Sequence, residues 1–571
     1  RAWVFFCLKF ILNSIALRDN LSYIFQIGGI MQKQQTFKRI DFAFSAFLAE
    51  KSNFQAEEKK RFKLILNQLS NAKSQGHSLL VLTGEEKIIV QSSELADDTG
   101  MQPLVLENNE LYLQRYWQYE CELAKQIQIL TAQNATTVDT EILLEQYFPE
   151  KTDQEIDWQK VAANAAITNS FTIITGGPGT GKTTTVVKIL GLLQELALPN
   201  ELNIALVAPT GKAAMRLKES LIQSKLKLQC SAQILNLIPD NVITIHRLLG
   251  TQRFSPYFKY NKNHKLAFDL IVVDEASMID LPLMSKLVSA LKESARLILL
   301  GDKDQLASVE TGTVLADLSA ALPKYTQELK KSYRFSGAIK QLAIEINQQN
   351  AEQAWQVILD AGDGVALLES DLIEYIANKQ AEYLNLIANK ADFISIYNAF
   401  NTFQVLCATR KGAFSIDDIN KRVGSALKDA KKISGLGEWY SGRPILITQN
   451  SPALNLYNGD IGICLADESN NGQLIVCFLL ADGSVKKYFP ARLPHCETVF
   501  AMTIHKSQGS EFDEVLLVLP EMESAILTKE LIYTAITRAK KSVKLVAKKT
   551  IFIDAINKKI DRQSGLIKRL S

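Results

Sequence analysis

Eight consecutive residues, Gly176-Gly177-Pro178-Gly179-Thr180-Gly181-Lys182-Thr183, combine glycines, a cation and a hydroxyl in an order that suits a phosphate group. The glycines let successive backbone N–H groups curl around phosphate oxygens, and a helix opening after them adds partial positive charge. Lys182 can reach the β- and γ-phosphates of a nucleoside triphosphate, and the Thr183 hydroxyl can ligate Mg²⁺. A chance Gly-rich turn would not also fall between an apolar strand (171–175) and a helical stretch (184–193), as this one does.

Two adjacent carboxylates, Asp274 and Glu275, end the apolar run 270–273. At the carboxyl edge of a parallel sheet, one acid can hold the metal and the other can orient a water, so Asp274 is assigned to Mg²⁺ and Glu275 to water activation. Gln305, after the strand ending near Leu300, supplies an amide that could sense a γ-phosphate. Arg334 and Arg538 complete the set, because an arginine brought from a neighbouring domain stabilises charge on a transferring phosphoryl group. ATP would then sit between two domains.

Those residues need a scaffold. Short apolar runs at 171–175, 204–208, 270–273 and 297–300 alternate with helix-period segments, which predicts a doubly wound parallel sheet covered on both faces. The rhythm returns at 405–408, 515–518 and 543–546, predicting a second α/β domain. Gly/Asn-punctuated β-like runs at 444–448, 461–465 and 474–479 predict a small β-barrel inserted at about 441–490. Upstream, helices around 42–48 and 62–69, strands at 79–82, 87–91, 104–106 and 111–113, and a helix over 115–127 predict a small mixed domain. The division expected is 31–145 for a partner-binding domain, 146–345 for the first ATPase domain and 346–571 for the second. Residues 1–30, apolar and preceding the first Met, Met31, are expected to be a spurious upstream extension.

Composition narrows the class. With 571 residues, 47% hydrophobic and 22% charged, the chain can bury several cores, and its net charge of +3 advertises no polyanion partner. The local exception is 540–571, with ten Lys/Arg against two acids. Seven scattered cysteines without a CxxC pair point to reduced thiols and a cytoplasmic protein rather than a disulfide or zinc framework, and no apolar run is long enough for a membrane span.

The order of elements resembles that of superfamily-one helicases: Gln159, the phosphate loop, Ala208-Pro209-Thr210-Gly211-Lys212-Ala213-Ala214, Asp274-Glu275-Ala276, Gly301-Asp302-Lys303-Asp304-Gln305-Leu306, Tyr333-Arg334-Phe335, Thr503-Ile504-His505-Lys506-Ser507-Gln508-Gly509-Ser510-Glu511-Phe512 and Tyr533-Thr534-Ala535-Ile536-Thr537-Arg538-Ala539. Trp158-Gln159-Lys160-Val161-Ala162, Leu111-Tyr112-Leu113-Gln114-Arg115-Tyr116-Trp117, Gln305-Leu306-Ala307-Ser308-Val309-Glu310-Thr311-Gly312 and Asn458-Gly459-Asp460-Ile461-Gly462 are closely similar to the RecD family, the α subunits of bacterial exodeoxyribonuclease V (RecBCD). The resemblance spans about 35–550. It implies two RecA-like motor domains in a 5′→3′ DNA helicase that works with RecB and RecC on duplex ends in double-strand-break repair. It places Gln159 on adenine and Gly176, Gly177, Pro178, Gly179, Thr180, Gly181, Lys182 and Thr183 on the phosphates and Mg²⁺. Gln305, Arg334 and Arg538 fall at the γ-phosphate, and Glu511 on the nucleotide side of the cleft. Thr210, Lys212, Thr244, His246, Thr503 and His505 would face single-stranded DNA, although Thr244 and His246 could equally cap and pack a helix. A self-sufficient RecD-like helicase and an ATP-dependent structural subunit are the alternatives, and the 145 positions from Met31 to Gly176 favour the subunit. No second carboxylate-and-lysine constellation lies outside the motor, so any nuclease centre of such a complex would sit on another chain.

Overall fold

The computed structural model describes residues 37–133, 140–149, 156–253, 255–308, 310–332, 337–360, 362, 364–433, 437–480 and 483–571. The upstream segment 1–30 and the Tyr333-Arg334-Phe335 motif lie outside them.

Two all-parallel sheets carry the segments expected to form α/β domains. The first has six strands in the order Thr326–Glu328, Phe171–Thr175, Arg296–Gly301, Leu270–Val273, Ile204–Ala208, Val242–Thr244. The central strands Phe171–Thr175, Ile204–Ala208 and Leu270–Val273 are buried along their whole length, which is why they read as continuous apolar runs. The second sheet orders Val365–Leu367, Ala539–Val546, Phe512–Val518, Phe403–Cys407, Ala501–Thr503. Its helices and strands form one core with residues such as Leu342, Val405, Leu516 and Phe552. The edge strands of both sheets, three residues each, are too short to be recognised in sequence.

The insertion predicted as a barrel is a five-stranded antiparallel sheet, ordered Val485–Tyr488, Gln473–Leu479, Ile461–Asp467, Pro444–Ile447, Cys496–Thr498. Among the described residues its end strands pair only inward, so the sheet is open. Ahead of the motor, four short strands and flanking helices bury Phe62, Leu66, Leu104 and Leu111.

One expectation fails there. Residues 87–91 belong to a helix, Gly84–Gln91, not a strand. Thr83 accepts a hydrogen bond from the Glu86 amide (3.4 Å), and the Glu86 carboxylate accepts from the Thr83 amide (2.8 Å). This reciprocal cap outweighs the β-branched Ile88-Ile89-Val90 run that suggested a strand.

The basic C-terminal stretch is not a solvated tail. After the helix Lys549–Asn557 the chain crosses back to the N-terminal domain, where the buried Glu120 carboxylate accepts from the Ser78 hydroxyl (2.6 Å), the Ser564 hydroxyl (3.2 Å), the Gly565 amide (3.2 Å) and Arg569 Nε (3.4 Å). Arg562 donates to the carbonyls of Ser308, Glu310 and Gly312 at 2.7, 3.0 and 3.1 Å, capping the loop that follows Gln305. The last residues, expected to belong to the second domain, therefore clamp the first. Removing one partner of a buried ion pair costs ~3–5 kcal/mol. Glu120→Ala should lower the first unfolding midpoint and expose 558–571 to limited proteolysis; an unchanged digestion pattern would show that the clamp contributes little.

Candidate functional site

The phosphate loop runs from the carboxyl end of strand Phe171–Thr175 into the helix Lys182–Ala197. Gly181 stands at its N-cap with φ +83°, a left-handed conformation that L side chains resist, and a Cβ there would meet Gln159 Nε2 at 2.5 Å. A Cβ at Gly177 would meet the Tyr533 hydroxyl at 3.0 Å. Glycine thus keeps the cradle open on two sides. Lys182 Nζ donates to the carbonyls of Gly176 (2.6 Å) and Gly177 (3.1 Å), so its charge lies over the loop. Gln159 Nε2 contacts the Thr180 carbonyl at 3.3 Å, and Asp157 caps the helix that carries Gln159. This cradle suits the phosphates of a nucleoside triphosphate, with Gln159 at its rim.

Asp274 follows the strand two places across the sheet from the loop, and its amide donates to the Val207 carbonyl at 2.9 Å. Desolvation in the cleft, reinforced by the Glu275 carboxylate, pushes the Asp274 carboxyl up to about 6, while the Glu275 backbone, Lys182 and Arg216 pull it down. Glu275 itself has φ +51°, a conformation that non-glycine residues adopt at a cost and that often marks a functional position. Among the described residues no group of three or more His, Cys, Asp or Glu forms a metal cluster. A hydroxyl at Thr183 and one carboxylate at Asp274 suit Mg²⁺, which takes much of its coordination from phosphate oxygens and water.

The strand between, Arg296–Gly301, is followed by Asp302, which the sequence reading left without a role. Gly301 accepts from the Gly176 amide at 3.2 Å, tying the two strand ends together. Asp302 is buried and accepts from Gln305 Nε2 (2.9 Å) and the Tyr533 hydroxyl (3.1 Å). Burial raises its carboxyl to about 6, opposed by Lys182.

Across the seam stands the helix Lys529–Ile536 of the second sheet's layer. Arg538, just beyond it and buried, donates Nη2 to Gln305 Oε1 at 2.7 Å, Nε to the Thr534 carbonyl at 3.1 Å and Nη1 to the Ser510 carbonyl at 3.4 Å. Thr534 accepts from the Leu306 amide at 2.9 Å, and Gln508 donates to the Leu306 carbonyl at 2.9 Å. Arg538 therefore bridges the second sheet's layer to Gln305 of the first. Tyr533, Thr534 and Gln508 were quoted within motifs but not singled out; their positions three to five residues from named residues were the available signal.

The six candidate DNA-facing residues all follow strand ends. Thr210 follows Ile204–Ala208 and caps its helix by accepting from the Ala213 amide (3.2 Å). Thr244 ends the neighbouring strand, in register with Ala208, and caps the Arg247 amide (3.3 Å). His246 packs edge-on against Phe258 at 5.7 Å, with Lys286 Nζ 5.3 Å from the same ring. Lys212 sits beside Asp460 and Gly459 of the insertion, and desolvation lowers its ammonium to about 8 against the pull of Asp460. Thr503 ends the edge strand Ala501–Thr503 of the second sheet, and His505 lies two residues beyond it. Burial lowers the His505 imidazole, helped by Arg562. Glu511 pairs with Arg216 across the seam and with Lys540 (3.8 Å) on its own side.

With this geometry in place, the chain was compared with known proteins. An AAA domain model matches residues 159–311, and a UvrD-like helicase C-terminal domain model matches 498–546. The RecBCD enzyme subunit RecD of Haemophilus influenzae is 37% identical over 532 residues, covering 82% of this chain and 81% of the relative. The protein of the same name from Mycolicibacterium smegmatis is 38% identical over 481 residues, covering 82% and 84%. The ATP-dependent RecD2 DNA helicase of Deinococcus radiodurans is 30% identical over 380 residues, covering 64% of this chain and 46% of the relative. Among solved structures, Bacteroides Pif1 bound to single-stranded DNA aligns with a TM-score of 0.39 and 17% identity, over 70% of this chain and 94% of that one. The phosphate loop, the paired acids and the inter-sheet arginine thus stand in a chain that belongs to the RecD family of superfamily-one helicases.

Proposed function

We propose that the chain is the ATP-driven, 5′→3′ DNA-translocating helicase subunit of a RecBCD-type complex, acting with RecB and RecC at duplex ends in double-strand-break repair in the cytoplasm. The contact between Arg538 and Gln305 carries the motor reading, since it joins the two parallel-sheet lobes beside the phosphate loop. The matches to RecD support the subunit reading: they extend over four-fifths of those relatives but less than half of the RecD2 helicase. The units drawn at 31–145, 146–345 and 346–571 correspond to partner docking, the first motor lobe and the second, with 558–571 returned to the first two.

Within the cleft, loop amides 176–183 hold the phosphates, Lys182 the terminal oxygens and Gln159 the base edge. Thr183 and Asp274 hold Mg²⁺, which when bound neutralises phosphate charge during transfer to water. Glu275 orients that water. Gln305 and Arg538 reach the γ-phosphate from the two lobes, and the sequence adds Arg334 as a second arginine. Glu511 borders the nucleotide. A guanidinium that prefers γ-phosphate oxygens to Gln305 draws the lobes together when the phosphate is present and releases them when it leaves, which converts hydrolysis into relative motion.

Single-stranded DNA would lie across the strand ends that carry Thr210, Lys212, Thr244, His246, Thr503 and His505. Backbone contacts of this kind hold the strand without reading its sequence. Among the described residues, no helix is long and apolar enough to cross a membrane.

Lys182→Ala is expected to abolish DNA-stimulated ATP hydrolysis; turnover within about twofold of the parent, a resolution well inside the ranges assigned to phosphate-site groups, would remove the loop from the mechanism. Arg538→Ala should lower kcat by roughly 10³-fold, the lower end of arginine contributions to phosphoryl transfer, with nucleotide binding largely retained in equilibrium titration. Unwinding assays with the purified chain should favour a 5′-tailed over a 3′-tailed duplex, and the opposite preference would overturn the assigned direction.

A further inference from the structure

The helix Gly211–Lys225 starts on the DNA side of the cleft, yet one of its faces is pressed against the second lobe. A Cβ at Gly211 would meet Tyr457 at 3.2 Å, and one at Gly509 would meet Ala213 at 3.9 Å. One turn beyond Lys212, at the i+4 position of the same face, stands Arg216. Its guanidinium forms an ion pair with Glu511 of the second lobe and lies in the field of Glu275 and Asp274, the acids of the first. Glu511 is well covered, with its side chain only 13% exposed, and Lys540 of its own lobe lies 3.8 Å away.

This geometry differs from that of Arg538. Arg538 carries a positive charge from the second lobe to an amide of the first. Arg216 carries one from the first lobe to a carboxylate of the second, and does so from a helix whose start also holds Thr210 and Lys212. A rigid helix transmits a displacement along its length, so a shift at Lys212 moves Arg216 with it. The planar guanidinium can hold one carboxylate with one edge while its charge still acts on another, which a lysine ammonium would do less well.

We propose that Arg216 is a positioning residue for ATP hydrolysis. Pairing with Glu511, it locks the second lobe to the helix on the DNA side and holds its charge beside Asp274 and Glu275, so that DNA engagement and the water-orienting acid are linked through one side chain. The inference rests on the reading of the cleft as an ATP site, and it adds a residue that lies outside the motifs named above.

The test is steady-state ATP hydrolysis by the full chain with a saturating single-stranded oligonucleotide, for wild type, Arg216→Ala, Arg216→Gln, Glu511→Gln and the double variant Arg216→Gln/Glu511→Gln. Lys182→Ala serves as the control for the site itself. The expected result is a kcat lowered about tenfold or more in both Arg216 variants, with KM for ATP moved less than about threefold, and a double variant no worse than the poorer single one. Thermal melting is followed in parallel, and Arg216→Gln, which keeps the length of the side chain, separates loss of charge from loss of packing. Wild-type kcat in Arg216→Gln, or losses that multiply in the double variant, would overturn the proposal. Loss of turnover in Lys182→Ala would meanwhile leave the ATP-site reading standing, so the two failures are distinguishable.

Discussion

A guanidinium enclosed between two separate sheets must be satisfied there, because an uncompensated charge in a low-dielectric seam costs several kcal/mol. Arg538 meets that demand with the Gln305 amide oxygen and two carbonyls of its own lobe, in the field of Glu275 and Asp302. The rest of the seam follows from this requirement. Tyr533 and Thr534 precede Arg538 on the same stretch of chain and reach Asp302 and the Leu306 amide, so one six-residue stretch delivers three contacts to the segment after one strand end. That strand end is hydrogen-bonded to the phosphate loop through Gly301 and Gly176. Whatever changes the partner of Arg538 therefore changes the fit of one lobe on the other.

Charge on the first lobe is arranged to receive an anion. Lys182 lies over the loop carbonyls, and the Asp274 and Asp302 carboxyls are both pushed up to about 6 by desolvation in a cleft short of water. Such raised acids are common where a cation or a charged substrate completes the site. The N-terminal domain and the C-terminal strap bear on the same region from behind. Arg562 caps three carbonyls in the loop just after Gln305, and Gly312 donates to the Gly76 carbonyl. The segment that senses the seam is thus braced by the ends of the chain as well as by its sheet.

What could be read from sequence was local. The phosphate loop, the paired acids and Gln305 each sit on a short run whose strand-then-turn pattern fixes them, and the buried central strands announce themselves as apolar runs. Arg216 and Asp302 escaped notice because their meaning depends on which segment faces them, and Glu511 lies 295 positions from Arg216 in sequence (511 − 216). The charge run of the basic C-terminus did not reveal its partners, because Glu107, Glu110 and Glu120 are more than 400 residues away. Gly84–Gln91 was misread because a reciprocal cap competes with β-branched residues, and spacing of apolar positions alone does not weigh the two. Thr244 shows the converse: it caps a helix as the plainer reading held, and it still stands at a strand end, as does Thr210, which caps its own helix.

The most direct test of the shared γ-phosphate site is the distance between the lobes, measured by pulsed electron–electron resonance with spin labels at Gln223 of the helix Gly211–Lys225 and Lys428 of the helix Ile416–Asp429. Distributions would be collected without nucleotide, with Mg²⁺ and ADP, and with Mg²⁺ and a non-hydrolysable ATP analogue. The account predicts that the analogue alone narrows and shifts the distribution. Three superimposable distributions would contradict it.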